Sequence, residues 1–462
     1  MKIAFGTSGW RGHLAYDFTF QGVACVAKAI ADVLHENGQA EQGVVVGRDP
    51  RFLTEKFARD TARILAAEGV RVFLVERDIP TPMIAWTIMD KKLAGGLNFT
   101  ASHNPSDWCG VKYSMESGGP ALPHITKKIE ALANKLLADN WQPQFANTYE
   151  IIDPRESYYR QIESIINFDL LRQGRFALNP IFGAARGILD ELLQRNNVPY
   201  DIINDTRDPY FGGFPPEPAE EYIADFIRFI DPAQHTLGLM CDGDADRFGV
   251  LTPQGECLNP NDVATVLAWY LIGVKNMNGG TGRSVATTHM LDRVARHFGR
   301  EHYETPVGFK WLGELICEDK IALAAEESAG MSIYRHVPEK DGIIAVLLLA
   351  EAVCHYQKGF FEILQDVRES VGQLICKRVN IALEGVDMEK LKANLAKDVT
   401  NVGEFAVQEV VRTDGVKFLF GDDRWILVRL SGTEPVARVY AEGADESVVS
   451  DLLAAGKRFL LS

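Results

Sequence analysis

The chain has 462 residues, too many for one hydrophobic core and enough for about three or four units of ordinary domain size. Apolar residues at 46% and charged residues at 24%, with Gly and Pro spread along the chain, exclude a disordered or low-complexity polymer and point to a soluble globular protein. A formal charge of -15 argues against nucleic acid or an anionic membrane as partner, so any anionic ligand must meet a local basic pocket.

Taken in chain order, Met1-Lys2-Ile3-Ala4-Phe5-Gly6 lacks the apolar region of a secretion signal, and the protein is expected to be cytoplasmic. Gly6-Thr7-Ser8-Gly9-Trp10-Arg11-Gly12 offers amides, hydroxyls and one Arg, which suits an oxyanion and equally an ordinary Gly-rich turn. Val44-Val45-Val46 reads as a strand ending in Gly47-Arg48-Asp49-Pro50-Arg51. Residues 237–240 read as a strand ending in an acidic triplet, and residues 321–325 as one ending in Glu326-Glu327-Ser328. The amphipathic stretches that follow predict βα units, whose ligands gather beyond the carboxyl ends of strands. Residues 263–274 and 343–350 are apolar runs well short of the roughly 20 residues of a membrane-spanning helix and read as buried helices. Loops or boundaries are expected at residues 212–218 and near Gly255, and linkers at Asp153-Pro154 and near Ser370. Toward the carboxyl end, strands at 425–430 and 436–440 joined by Ser431-Gly432-Thr433-Glu434-Pro435 predict a hairpin in an α+β domain. Seven cysteines, odd in number and without a CxxC pair, fit reduced and mostly buried thiols.

Two separated motifs carry the chemistry. Thr100-Ala101-Ser102-His103-Asn104-Pro105 places a serine on a tight polar turn. Asp242-Gly243-Asp244-Ala245-Asp246-Arg247 sets three carboxylates so close that they repel unless a cation holds them, and oxygen ligands suit a hard ion such as Mg2+. A calcium EF-hand is excluded, because its sixth position requires Gly and is Arg247, and its twelfth requires Glu and is Pro253. The plain alternative is an Asp-rich turn closed by its own side chains. Arg247 adds the fork of donors that a phosphoryl group requires. Ser102 alone is weak evidence. It lacks the Gly-x-Ser-x-Gly elbow of a hydrolase, and an adjacent His103 rarely aims at it as a base. A serine that carries phosphate and offers one oxygen to the metal explains both motifs.

Lys112 is either a solvated lysine or a cleft residue that helps move the proton of an accepting hydroxyl. Glu326 and Ser328 suit neighbouring sugar hydroxyls, or a solvated helix start. Lys310, His336 and Lys340 add positive charge. Arg429-Leu430-Ser431-Gly432-Thr433 is a cradle for a phosphate or simply a hairpin turn.

In this order, from Gly6 to Thr433, the motifs resemble the α-D-phosphohexomutase family, which includes phosphoglucomutases and phosphomannomutases. The resemblance implies an α/β fold, with three related α/β domains of mixed, mostly parallel sheets and a smaller C-terminal α+β domain around a central cleft. The domains would be 1–150 with the catalytic serine, 151–255 with the metal loop, 256–370 with the sugar loop and 371–462 with the phosphate loop. It implies a phosphorylated Ser102, Mg2+ held by Ser102, Asp242, Asp244 and Asp246, and Lys112 and Arg247 beside the transferred group. Thr7, Arg11, His103, Lys310, Glu326, Ser328, Lys340, Arg429, Ser431, Gly432 and Thr433 would bind substrate. The implied reaction moves phosphate between O1 and O6 of a hexose through a hexose 1,6-bisphosphate, which also serves as activator. Small hexose phosphates would be the partners of a monomer or homodimer, with no nucleic acid and no membrane.

The chain departs from the family pattern at two points. Ala325 stands where many members have Gly, and Ser328-Ala329-Gly330 replaces the Ser-Gly-His of phosphomannomutases and phosphoglucosamine mutases. The Glu-Glu-Ser-Ala-Gly form is similar to phosphoglucomutase branches, which ranks glucose phosphate before mannose phosphate. Two other classes stay open at this point: a non-catalytic phosphosugar-binding protein, indifferent to loss of Ser102, and a hydrolase that releases free phosphate.

Overall fold

The computed structural model describes residues 2–6, 9–430 and 436–461. Its first sheet contains β1 (Phe5–Gly6), β2 (Gly9–His13), β3 (Val44–Arg48), β4 (Val72–Leu74), β5 (Gly95–Phe99), β6 (Trp108–Met115) and β7 (Glu150–Ile151), in the order β1-β2-β6-β5-β3-β4-β7. The half from β5 to β7 is parallel and the half from β1 to β5 antiparallel. A second sheet of β8 (Phe176–Asn179), β9 (Tyr200–Ile202), β10 (Leu237–Cys241) and β11 (Phe248–Leu251) is ordered β11-β10-β8-β9. The third, of β12 (Gly280–Ser284), β13 (His302–Thr305), β14 (Ile321–Glu326) and β15 (Gly330–Ile333), is ordered β13-β12-β14-β15. In both, three parallel strands carry one antiparallel edge strand.

The fourth sheet is antiparallel throughout. It joins β16 (Ile375–Ala382), β19 (Glu409–Val411), β20 (Val416–Leu419), β21 (Trp425–Leu430) and β22 (Val436–Gly443) in the order β16-β22-β21-β20-β19, with β17 (Asn401–Val402) and β18 (Phe405–Ala406) paired beside it. The expected hairpin is β21 and β22.

Strands β3, β10 and β14 are buried along their whole length, which explains their uninterrupted apolar runs, since helices cover both faces of a parallel sheet. Beyond β10 and β14 the chain departs from the βα expectation. Each of these strands runs into its motif and returns as an antiparallel strand, with Cys241 opposite Phe248 and Glu326 opposite Gly330. The returning segments are four residues long, too short for a helix to bury a face, yet enough to complete a sheet edge. Strand β5 and its return β6 repeat the device around the serine loop. Strand β3 does feed a helix, Thr54–Ala67.

One apolar core runs through the first three domains, from Val45 and Phe73 to Leu178 and Leu239 and on to Leu323 and Ile344. The run at 343–350 lies in the buried helix Gly342–Tyr356, whose first amides, Ile343 and Ile344, are capped by Asp341. The run at 263–274 forms helix Pro260–Trp269 and a π-turn, Tyr270–Val274. Among the described residues no single helix is long and apolar enough to cross a membrane. Ser370 lies inside helix Phe360–Val371, its hydroxyl bonded to the Asp366 carbonyl, so the break falls at Gly372, which has φ +83°. All seven cysteines are free thiols, with Cys257 and Cys317 exposed and the others buried.

The fourth domain has its own core and meets the third through a buried polar seam. Glu442 accepts from Trp425 Nε1 at 2.7 Å, from the His289 amide at 2.9 Å and from the Thr288 hydroxyl. Lys417 Nζ meets the Val285 carbonyl at 3.0 Å, His289 Nε2 at 2.9 Å and Glu304 Oε2 at 2.6 Å. Burial works against the Lys417 charge and lowers its pKa to about 8, with Glu304 opposing the shift. Replacing Glu442 by Leu leaves three buried donors without an acceptor. Chemical denaturation of E442L is expected to show a loss of about 3 kcal/mol or more, with a smaller loss for E442Q.

Candidate active site

Three loops meet, one from each of the first three domains. In the first, Thr100 Oγ1 accepts the Ser102 amide at 2.8 Å, and Ser102 adopts φ +53°, a left-handed conformation that costs a non-Gly residue about 1 kcal/mol or more. Arg51 holds it there. Fully buried, its guanidinium donates to the carbonyls of Ser102 and Asn104, each at 2.6 Å, of Pro105 at 2.7 Å and of Trp108 at 3.1 Å, while Nε meets Asp49. Burial pushes the Asp49 carboxyl up to about 6, with Arg51 pulling it back.

The acidic loop follows β10, and Ala245 turns it with φ +58°. Asp242, Asp244 and Asp246 are fully buried, and each offers a carboxylate oxygen within 4.8 Å of the others. Ser102 Oγ donates to Asp242 Oδ2 at 2.8 Å across 140 positions of sequence, while Asp242 Oδ1 accepts the Arg247 amide at 3.1 Å. Lys112, on β6, donates to Asp244 Oδ2 at 2.6 Å and also to Asp246, which Lys340 meets at 3.0 Å. The Thr81 amide donates to the Asp244 backbone carbonyl at 2.9 Å and its hydroxyl to the Asp244 carboxylate, and Asn98 in turn donates to that hydroxyl at 2.8 Å.

These contacts divide the charge unevenly. Burial, with Asp246 and Asp244 beside it, raises the Asp242 carboxyl well above the usual range. At Asp246 burial acts in the same sense, but Lys112, Lys340 and Arg247 overcome it and hold the group well below that range. Lys112 is therefore buried and not solvated; against its burial, Asp244 and Asp246 raise its pKa and hold its proton. Even so, Asp244 Oδ1 and Asp246 Oδ1 are buried with no hydrogen-bond partner. Two orphaned hard oxygens beside a serine hydroxyl fit a divalent cation such as Mg2+.

The third loop lies between β14 and β15. Glu326 Oε1 accepts the Gly308 amide at 2.9 Å, and burial raises its carboxyl. Ala329 has φ +65°, and its carbonyl accepts the Phe248 amide at 3.2 Å, tying this loop to the acidic one. Gly330 lets the Lys340 stem pass so close that a Cβ would lie 2.3 Å from Lys340 Cδ. Glu339, also buried, is pushed up to about 7 by burial, with Lys340 and Lys112 opposing.

Of the other expected residues, His103 Nδ1 lies 3.4 Å from Ser102 Oγ, and burial, then Arg247 and Arg11, keep the ring well below its ordinary pKa and neutral. Arg11 donates to Asn104 at 2.7 Å, and Arg247 lies 3.6 Å from Glu217 and 4.0 Å from Asp246. Lys310 starts helix Phe309–Cys317 with Nζ 5.5 Å from the Trp311 ring, Ser328 is half-buried in the turn, and Arg429 pairs with Asp414 at 2.9 Å. Among the described residues these three make no hydrogen bond or ion pair to the acidic loop. His336 is spent inside the fold, bonded to Asp341 at 2.7 Å. Thr7, Ser431, Gly432 and Thr433 lie outside the described residues. Arg51, Thr81, Asn98, Glu339 and Asp341 were missed; of these only the charged turn after β3 gave any signal.

Family models for phosphoglucomutase/phosphomannomutase match four successive segments: α/β/α domain I at residues 2–139, domain II at 156–255, domain III at 259–371 and the C-terminal domain at 379–455. The chain belongs to the phosphoglucomutase/phosphomannomutase family. It is therefore a mutase-type isomerase with three α/β domains and a C-terminal one. It is 28% identical to a Komagataeibacter xylinus phosphoglucomutase over 96% of this chain and 87% of that one. Identity is also 28% with a Thermococcus kodakarensis phosphoglucomutase/phosphomannomutase, over 100% and 99%. A Thermus thermophilus crystal structure ascribed to a phosphomannomutase superimposes with a TM-score of 0.87 at 31% identity, covering all of both chains. The open form of Paramecium parafusin shares the fold, with a TM-score of 0.84 at 23% identity over 100% of this chain and 95% of that one.

Within this family site, Arg51 acts by holding carbonyls. Lysine keeps the charge but not the fork, and its three donors cannot serve four carbonyls, so R51K leaves at least one loop carbonyl unpaired. We expect a loss of about 2 kcal/mol or more in thermal unfolding and a fall in turnover of about a hundredfold, measured on the same preparation.

Proposed function

We propose that this mutase interconverts hexose 1-phosphate and hexose 6-phosphate through a phosphorylated Ser102 and a hexose 1,6-bisphosphate, with glucose phosphates preferred and mannose phosphates second. The observation that carries the reading is the bond from Ser102 Oγ to Asp242 beside two orphaned carboxylate oxygens. The names of the relatives and the Glu326-Glu327-Ser328-Ala329-Gly330 sequence support the sugar preference.

Ser102, Asp242, Asp244 and Asp246 would hold Mg2+, which when bound offsets negative charge on the transferred phosphoryl group. The sugar hydroxyl attacks phosphorus, the bond to Ser102 Oγ breaks, and the hydroxyl proton passes to a base. Neutral His103, next to Ser102 Oγ, is placed to take the serine proton in the return half, when Ser102 Oγ attacks the bisphosphate. Lys112 and Arg247 flank the group as cations. The bisphosphate then reverses and returns its other phosphate to Ser102. Glu326 and Ser328 would take sugar hydroxyls, with Arg11, Lys310 and Lys340 around them. Arg429 with Ser431, Gly432, Thr433 and, from the amino end, Thr7 would hold the phosphate that does not react.

The test is conversion of glucose 1-phosphate to glucose 6-phosphate with a trace of glucose 1,6-bisphosphate, mannose 1-phosphate being run in parallel. Turnover is expected to fall by about a thousandfold or more in S102A and to stop with chelator, returning on addition of Mg2+. Intact-mass measurement should show one phosphate that glucose 6-phosphate discharges. An S102A protein as active as the parent, or steady release of inorganic phosphate, overturns the reading.

A further inference from the structure

Beside the acidic loop, at the seam between the first and second domains, three guanidinium groups share one carboxylate. Asp78 accepts from Arg48 on one oxygen, and on the other from Arg186 at 2.8 Å and Arg207 at 2.9 Å. Among the described residues no other carboxylate lies within ion-pair distance of these three arginines. Arg77 reaches the Gly187 carbonyl at 3.5 Å on the same side, and Asp190 faces Arg186 only at longer range, with an unpaired oxygen of its own. In a chain of formal charge -15, this leaves an excess of two positive charges around Asp78. Like charges this close repel, and the Arg186 Nε–H is buried with no acceptor at all. Arg48 and Asp78 are buried, whereas Arg186 and Arg207 have side chains 21% and 42% exposed, so a small ion can reach them.

The seam is also wired to the acidic loop. Three residues after Asp78, the Thr81 amide donates to the Asp244 carbonyl; two residues before Arg186, the Ala184 amide donates to the Gly243 carbonyl, each at 2.9 Å. The segment carrying Arg186 holds Ile181 at φ +49° and Phe182 at φ +54°, a left-handed conformation that a β-branched residue keeps only where its surroundings impose it.

We propose that this seam is an oxyanion site, in which Arg186 and Arg207, backed by Arg48, receive a tetrahedral phosphoryl-type dianion. The dianion balances the excess charge and accepts from the two partly exposed guanidinium groups. The ligand is either inorganic phosphate or the phosphoryl group of a sugar phosphate. The assignment is independent of the mutase reading, because neither arginine belongs to the catalytic machinery described above.

Crystals of the full chain soaked in sodium selenate locate such a site by anomalous scattering. The expected result is a selenium peak within hydrogen-bond distance of Arg186 and Arg207, lost in R186Q/R207Q. R207Q alone, at the most exposed of the three, carries the same test if the double variant does not fold. Inorganic phosphate and glucose 6-phosphate are then soaked in as competitors: displacement by phosphate alone identifies the free ion, and displacement by both identifies a sugar phosphate. In solution, calorimetric titration with inorganic phosphate should show one class of sites weakened about tenfold or more in the variants. No selenium peak at the seam, a peak unchanged in the variants, or selenate that neither competitor displaces overturns the proposal.

Discussion

Three carboxylates buried side by side are the constraint on which this molecule is built. At such separations and without water, their repulsion exceeds what any local turn can absorb, and an unpaired buried charge is among the most destabilising features a fold can carry. The neutralising side chains come from different places: Lys112 from a strand of the first domain, Arg247 from the end of the acidic loop itself, and Lys340 from the third domain. No single domain satisfies the cluster. The shared apolar core brings the three domains together, but the charges settle how their loops must face one another. The two carboxylate oxygens still left over then mark the position a cation would complete.

The loops that meet this demand share one construction. A parallel strand ends, a residue adopts the left-handed conformation, and the chain returns antiparallel: Ser102 between β5 and β6, Ala245 between β10 and β11, Ala329 between β14 and β15. None of the three residues is glycine, so each turn carries strain that a free loop would relax. The ladders on either side prevent that relaxation, and around Ser102 the Arg51 guanidinium adds a second restraint at the carbonyls. Rigid presentation of a hydroxyl and of carboxylate oxygens is what phosphoryl transfer requires, since there is little for the protein to do beyond positioning and charge.

How much of this could be read from the amino acids depended on whether the partners were side chains. The acidic triplet announced itself, because carboxylates at alternate positions need cations whatever the fold, and the buried strands leading to it were legible as apolar runs. Arg51 was not legible as a site residue, because its partners are carbonyls, and a carbonyl has no letter in the sequence. Lys112 was ambiguous for a related reason: only the pairing of β5 with β6 turns it toward residues more than a hundred positions away. The helices expected after β10 and β14 were misread because a short return strand and the first turn of an amphipathic helix have similar composition; length decided between them, and length is set by the sheet edge. His336, read from the sequence only as added positive charge, is instead bonded inside the fold to Asp341, the cap of the following helix.

The fourth domain is held in a different way, and the difference bears on function. The first three domains share an apolar core, which is adhesive but not directional, whereas the seam between the third and fourth adds to its own apolar cluster of Val285, Trp425, Leu427 and Tyr440 a set of buried hydrogen bonds to Glu442 and Lys417, which fix orientation as well as contact. Two further links cross the same seam. Glu327, next to Glu326, accepts from Arg378 and Tyr440, and Asp414 accepts the Val307 amide while pairing with Arg429. On the mutase reading, a sugar must present first one end and then the other to the same serine, so the cradle for the idle phosphate has to stay at a fixed distance from the reacting one. Directional bonds to the residue beside the sugar loop set that distance in a way that greasy contact alone would not. Glu327 is then structural: its neighbour Glu326 bonds inward to the Gly308 amide, whereas Glu327 turns to Arg378 and Tyr440 of the fourth domain.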